Sequence, residues 1–225
     1  MNSRASSLIS AGLLAVVLTC AAQLFAGPPL ICHAIEIGQA QTLPWVDLNY
    51  RRGDGSYNLQ NLAKDTLAIL DSNPAVLVRM ETLRRATLYA RQDPQAAKEL
   101  LTRLRARAMD APTDAPGALA WFDFGYLAES YKQWSGKGEP NPAAGVDGYA
   151  WVMRAIQARG GDAEMEFAAA LITLTAPNAD HREHVQKAMA GAKTDALLAQ
   201  NLASRFGSET IAGILAAQSA GKIDR

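Results

Sequence analysis

The side chains best suited to metal or thiol chemistry are Cys32 and His33, adjacent to each other, and His181 and His184, three residues apart in a stretch of helical character. Thiolate and imidazole are ligands for zinc or copper, so Cys32, His33, His181 and His184 are the candidate metal set, each neighbouring pair supplying half of a tetrahedral site. A second reading is open for the histidines. Asp180 with Glu183 three residues later forms a helix start resembling a capping box, which would leave both rings on a solvated first turn. Cys32-His33 lacks the partner cysteine of a haem-attachment motif, because the position three before it is Pro29. A thiol nucleophile needs a base in spatial contact, which a neighbour in sequence does not guarantee. No Gly-rich phosphate loop, Ser-centred elbow, zinc-protease motif or calcium loop is present, so no residue is singled out as catalytic and no cofactor is expected.

A second constellation is electrostatic. From Arg79 to Arg107 the chain carries Arg79, Arg84, Arg85, Arg91, Lys98, Arg103, Arg105 and Arg107 against Glu81, Asp93 and Glu99. If two adjacent helices turn these outward, Arg79, Arg84, Arg85, Arg91, Arg103 and Arg107 form a partner-binding surface for a protein or acidic peptide, arginine favouring bidentate carboxylate contacts. The plain alternative is a solvated face neutralised by acids elsewhere. Over the whole chain 22 basic residues balance 22 acidic ones, which argues against a nucleic-acid binder working through bulk charge.

The elements that must carry these residues are read from periodicity. Residues 27–57 hold Pro28, Pro29, Gly38, Pro44, Gly53 and Gly55 and no sustained helical period. With Leu30, Ile31, Ile35, Ile37, Leu43, Trp45 and Val46 they are too apolar for a free linker, and they are expected as an extended arm lying on a helical body. The body, 58–225, reads as helices throughout. Leu59, Leu62, Ala63, Thr66, Leu67 and Leu70 form the first stripe. The next helices are expected at about 75–91, at 94–108 with Asp93 as cap and Pro94 at the first position, and across the aromatics Trp121 to Trp134. Further helical patterns lie near 147–158, 162–174, 180–191 and 194–205, and a last one from Ser208 to about Ala220.

Short connections between helices of this length predict an all-α fold of stacked antiparallel pairs, a small α-solenoid. Leu83 to Ala108, with its Gln92-Asp93-Pro94 turn, resembles a tetratricopeptide-type helix–turn–helix, and Trp121, Phe124 and Gly125 are similar to the start of such a repeat. That resemblance implies a binding groove but no specific ligand. It covers about two degenerate units, since Ala128 stands where an aromatic belongs and no 34-residue period runs through the chain. Ala26-Gly27-Pro28-Pro29-Leu30-Ile31-Cys32-His33, Ile37-Gly38, Leu43-Pro44-Trp45 and Arg79-Met80-Glu81-Thr82-Leu83-Arg84-Arg85-Ala86 resemble segments of a group of exported bacterial proteins of uncharacterised function. This second resemblance implies export and no activity.

Residues 1–26 read as a signal peptide: Arg4 precedes an uncharged stretch, Ala5 to Phe25, centred on Leu13 to Leu18, with small residues behind it. Cleavage after Ala22 or after Ala26 fits, the second preferred. A lipoprotein box ending at Cys20 and an uncut anchor are the rivals. Cleavage would leave Cys32 as the one remaining thiol and no membrane span. The sequence therefore predicts an exported, periplasmic or extracellular, non-catalytic helical-repeat protein that binds a protein or peptide of the cell envelope. The alternative is a metal- or redox-handling envelope protein using Cys32 and His33.

Overall fold

The computed structural model describes residues 27–46, 53–134, 141–174 and 179–207. The expected signal peptide, Cys20 and the helix expected after Ser208 lie outside the described residues. Among these there are eight α-helices and no strand: α1 Leu62–Asp71, α2 Val76–Ala90, α3 Pro94–Asp110, α4 Ala118–Trp134, α5 Gly148–Ala158, α6 Ala163–Thr173, α7 Ala179–Gly191 and α8 Ala196–Phe206. The starts of four of them are set by aspartates whose carboxylates take the free N–H groups of the first turn. Asp93 accepts from Gln95 and Ala96, Asp147 from Ala150, Asp162 from Glu164 and Met165, and Asp195 from Leu198. α2 begins without a cap of its own, and a distant residue supplies one: the Leu77 N–H donates to Glu164 Oε2 of α6 at 3.0 Å.

α4 lies at the centre, packed against α2, α3 and α5, while α6 and α7 pair and α8 closes against both. Its composition explains that position. Trp121, Phe122, Phe124, Tyr126 and Tyr131 occupy several sides of one helix and all are buried, so neighbours must cover it nearly all round. α4 and α5 approach closely because two glycines face each other there. A methyl group at Gly125 or at Gly148 would stand against the other's carbonyl oxygen.

Residues 27–46 form no helix or strand, yet Leu30, Ile31, Ile35, Ile37 and Leu43 are buried in the same apolar cluster as the helices. An irregular segment in a core needs partners for its main-chain polar groups. Those partners come from charged and amide side chains of α2, α4 and α8. Among the described residues no helix is long and apolar enough to cross a membrane.

Candidate functional site

Much of the expected basic surface is used inside the molecule. Glu81 and Arg84 on α2 are completely buried: Arg84 Nε lies 2.7 Å from Glu81 Oε2, and Arg84 Nη1 donates to the Ile31 carbonyl at 3.2 Å. Arg85 Nε meets the other oxygen of Glu81 at 2.7 Å, and its Nη1 donates to the Leu43 carbonyl at 2.7 Å. The Ile35 N–H completes the cluster by donating to Glu81 Oε2 at 2.9 Å. Across the arm, Arg205 of α8 donates to the carbonyls of Pro29, His33 and Ala34. Burial lowers the Arg205 pKa, but only to about 10, so the side chain stays cationic at neutral pH. Burial, helped by Arg205 and Arg84, also lowers the pKa of His33 and favours its neutral ring.

Arg79 is a further correction to the expected surface. It is 1% exposed and holds α1 to α4, donating to the Leu70 carbonyl at the end of α1 and pairing with Asp123 at 2.6 Å. Arg107 bridges Asp71 at 2.6 Å and Asp123 at 3.4 Å. The reason for these departures is common to all four: each arginine pairs with a buried acid, Glu81 or Asp123, and three of them also donate to an otherwise bare carbonyl. What remains outward is a smaller set. Arg91, Lys98, Arg103 and Arg105 are exposed. Arg103 is paired within its own helix to Glu99 at 2.7 Å, whereas Arg91, Lys98 and Arg105 have no ion pair among the described residues.

The candidate metal set is not assembled. Among the described residues no three His, Cys, Asp or Glu side chains are placed to share a metal ion. His184 is not on a wet turn but 2% exposed, with both ring nitrogens engaged: Nδ1 lies 2.5 Å from Glu166 Oε2 and Nε2 lies 2.7 Å from Tyr149 Oη. In the neutral ring this means that Nδ1–H donates to the carboxylate and Nε2 accepts the phenol proton. His181 turns toward α6, its Nδ1 at 3.1 Å from both Thr173 Oγ1 and the Ala170 carbonyl. Cys32 is half-buried on the arm, and its sulfur lies where a side chain on Gly27 would have to go.

Beside the outward cations lies a pocket of about 370 Å³, bounded by Ala90 and Arg91 at the end of α2, Pro94, Ala97 and Lys98 in the first turns of α3, Trp134 at the end of α4, and Asn141 and Pro142 beyond it. Ala90 and Ala97 are buried and form its floor, while Trp134 is partly covered by Tyr131, their ring centres 4.1 Å apart. Sequence reasoning found Arg91 but not this wall, because the pocket joins three helices whose contact has no periodic signature. Comparison of the chain with protein-family models, with curated proteins and with solved structures finds no match.

Proposed function

We propose that the chain is a non-catalytic helical-repeat binding module, of tetratricopeptide-like build, that takes a protein or acidic peptide partner on the outer face of α3 and acts after export in the periplasm or outside the cell. The observation that supports this reading is the difference between two classes of basic residue. Arg79 and Arg107 share the buried Asp123 and Arg84 and Arg85 share the buried Glu81, whereas Arg91, Lys98 and Arg105 carry their charge to solvent without a counter-ion among the described residues. Such a face raises the local concentration of acidic ligands and steers their approach. The helix–turn–helix of α2 and α3 and the glycine contact that lets α4 lie against α5 support the repeat-like reading. The apolar leader supports export. Use of Cys32 and His33 for metal or redox chemistry has no ligand group behind it among the described residues.

Fluorescence anisotropy with a labelled oligoglutamate peptide at low salt tests the reading. Binding that weakens at least tenfold in the R91E/K98E/R105E variant, with an unchanged circular-dichroism spectrum, is the expected result. Oligoglutamate that does not bind the native protein, or binds the variant equally well, overturns it.

A further inference from the structure

Charge alone would make the α3 face a diffuse patch, and the pocket at its edge gives it a specific point. Trp134, Pro94 and Pro142 supply flat apolar walls above a floor of Ala90 and Ala97, and Arg91 and Lys98 stand at the rim. Both rim cations are exposed and without an ion pair among the described residues. The acids nearest in sequence are already engaged: Asp93 caps α3 and Glu99 pairs with Arg103. Asn141 adds an amide side chain to the lining, and its Oδ1 accepts from the Ala143 N–H at 2.8 Å. The combination is an apolar cavity of ligand size with two cations and one amide at its edge.

We infer that this pocket is the anchor of the peptide site: it accepts one aromatic side chain of an acidic segment, held against Trp134, while carboxylates on either side of that residue meet Arg91 and Lys98. The inference rests on the proposed binding of acidic peptides by the α3 face and adds to it the identity of the anchor. Two features favour an aromatic occupant. Proline and tryptophan faces pack well on another ring, and a pocket of about 370 Å³, at the small end of ligand sites, has room for one. The flanking carboxylates follow from charge complementarity, since neither rim cation has a counter-ion among the described residues.

The probes are two labelled peptides, Glu-Glu-Phe-Glu-Glu and Glu-Glu-Ala-Glu-Glu, titrated by anisotropy into the full chain, its W134A variant and its R91E/K98E variant. The phenylalanine peptide is expected to bind at least tenfold tighter than the alanine peptide, the preference reflecting burial of one ring. W134A should erase that preference while leaving the weaker, charge-driven binding of the alanine peptide in place. R91E/K98E, at exposed positions that leave folding unaltered, should weaken the phenylalanine peptide at least tenfold. Equal binding of the two peptides to the native protein overturns the anchor but leaves the acidic-peptide reading standing. Failure of both peptides to bind overturns both. A preference that survives W134A overturns the anchor as well, and R91E/K98E checks the rim independently should W134A not fold.

Discussion

Asn201 clamps Glu36 through both ends of its amide, the side-chain oxygen accepting from the Glu36 N–H at 2.9 Å and the side-chain nitrogen donating to the Glu36 carbonyl at 2.9 Å. One α8 residue thus imitates a strand partner for the arm, satisfying both main-chain groups of a segment that has no sheet to join.

Asn201→Ala removes both bonds at once. A loss of about 1–3 kcal/mol is expected, since Glu36 lies partly in water and recovers some of its hydration. The measurement is urea unfolding, together with limited proteolysis, which should cut residues 27–46 faster in the variant than in the native protein.

Glu81→Gln tests the buried cluster more severely. Glu81 is the counter-ion of Arg84 and Arg85 and the acceptor of the Ile35 N–H, so the neutral amide leaves a buried guanidinium without its charge partner. Breaking such a pair costs about 3–5 kcal/mol. Thermal unfolding should show a large drop for Glu81→Gln and a small one for Arg103→Gln, whose ion pair is exposed.

Asp123 predicts a pH dependence of unusual sign. Burial pushes its carboxyl up to about 6 against the pull of Arg79 and Arg107, while the unfolded chain titrates at the ordinary 3.8. The folded state therefore holds the proton more tightly. The contribution is fully present below about pH 4 and is lost as pH rises through about 6. The stability difference between the native protein and Asp123→Asn, read from urea midpoints, should fall between pH 4 and pH 7 by an amount on the order of 3 kcal/mol. A difference that grows over this range contradicts the assignment.

Gly148→Ala and Gly125→Ala should each destabilise by about 1–3 kcal/mol or more, because the added methyl meets backbone rather than a side chain that can move aside. Gly145→Ala is the control for crowding. It has open space around it and its φ of 80° supplies only the conformational penalty of a left-handed residue.

The helical body was legible because its signals are local. Asp93 before Pro94 and the apolar stripe from Leu62 to Leu70 act within one or two turns of chain, and α1 to α8 fall within a few residues of the periodicity. The use of the arginines was not legible. Charge counting treats Arg84 and Arg91 alike, but Arg84 is buried between Glu81 and the Ile31 carbonyl while Arg91 reaches solvent. A bare carbonyl is present at every residue and leaves no mark in the sequence, so the side chain that will receive it cannot be read from composition. His184 shows the same limit. Its partners, Glu166 and Tyr149, come from two other helices, and the neighbours Asp180 and Glu183 suggested a solvated turn instead.

The arm's attachment to α8 also sets an order of events during synthesis. Pro29 leaves the ribosome 176 residues ahead of Arg205, which donates to its carbonyl. At about 5–20 residues per second that interval lasts roughly 10–35 s, during which Leu30, Ile31, Ile35 and Ile37 have no completed core to enter. A stack of helices would ordinarily fray from its ends, but here the first described segment and the last described helix hold each other. Residues 27–46 and α8 act as a clasp, so releasing either should release the other, and unfolding of the described helices is expected as one cooperative step rather than a peeling of successive helix pairs.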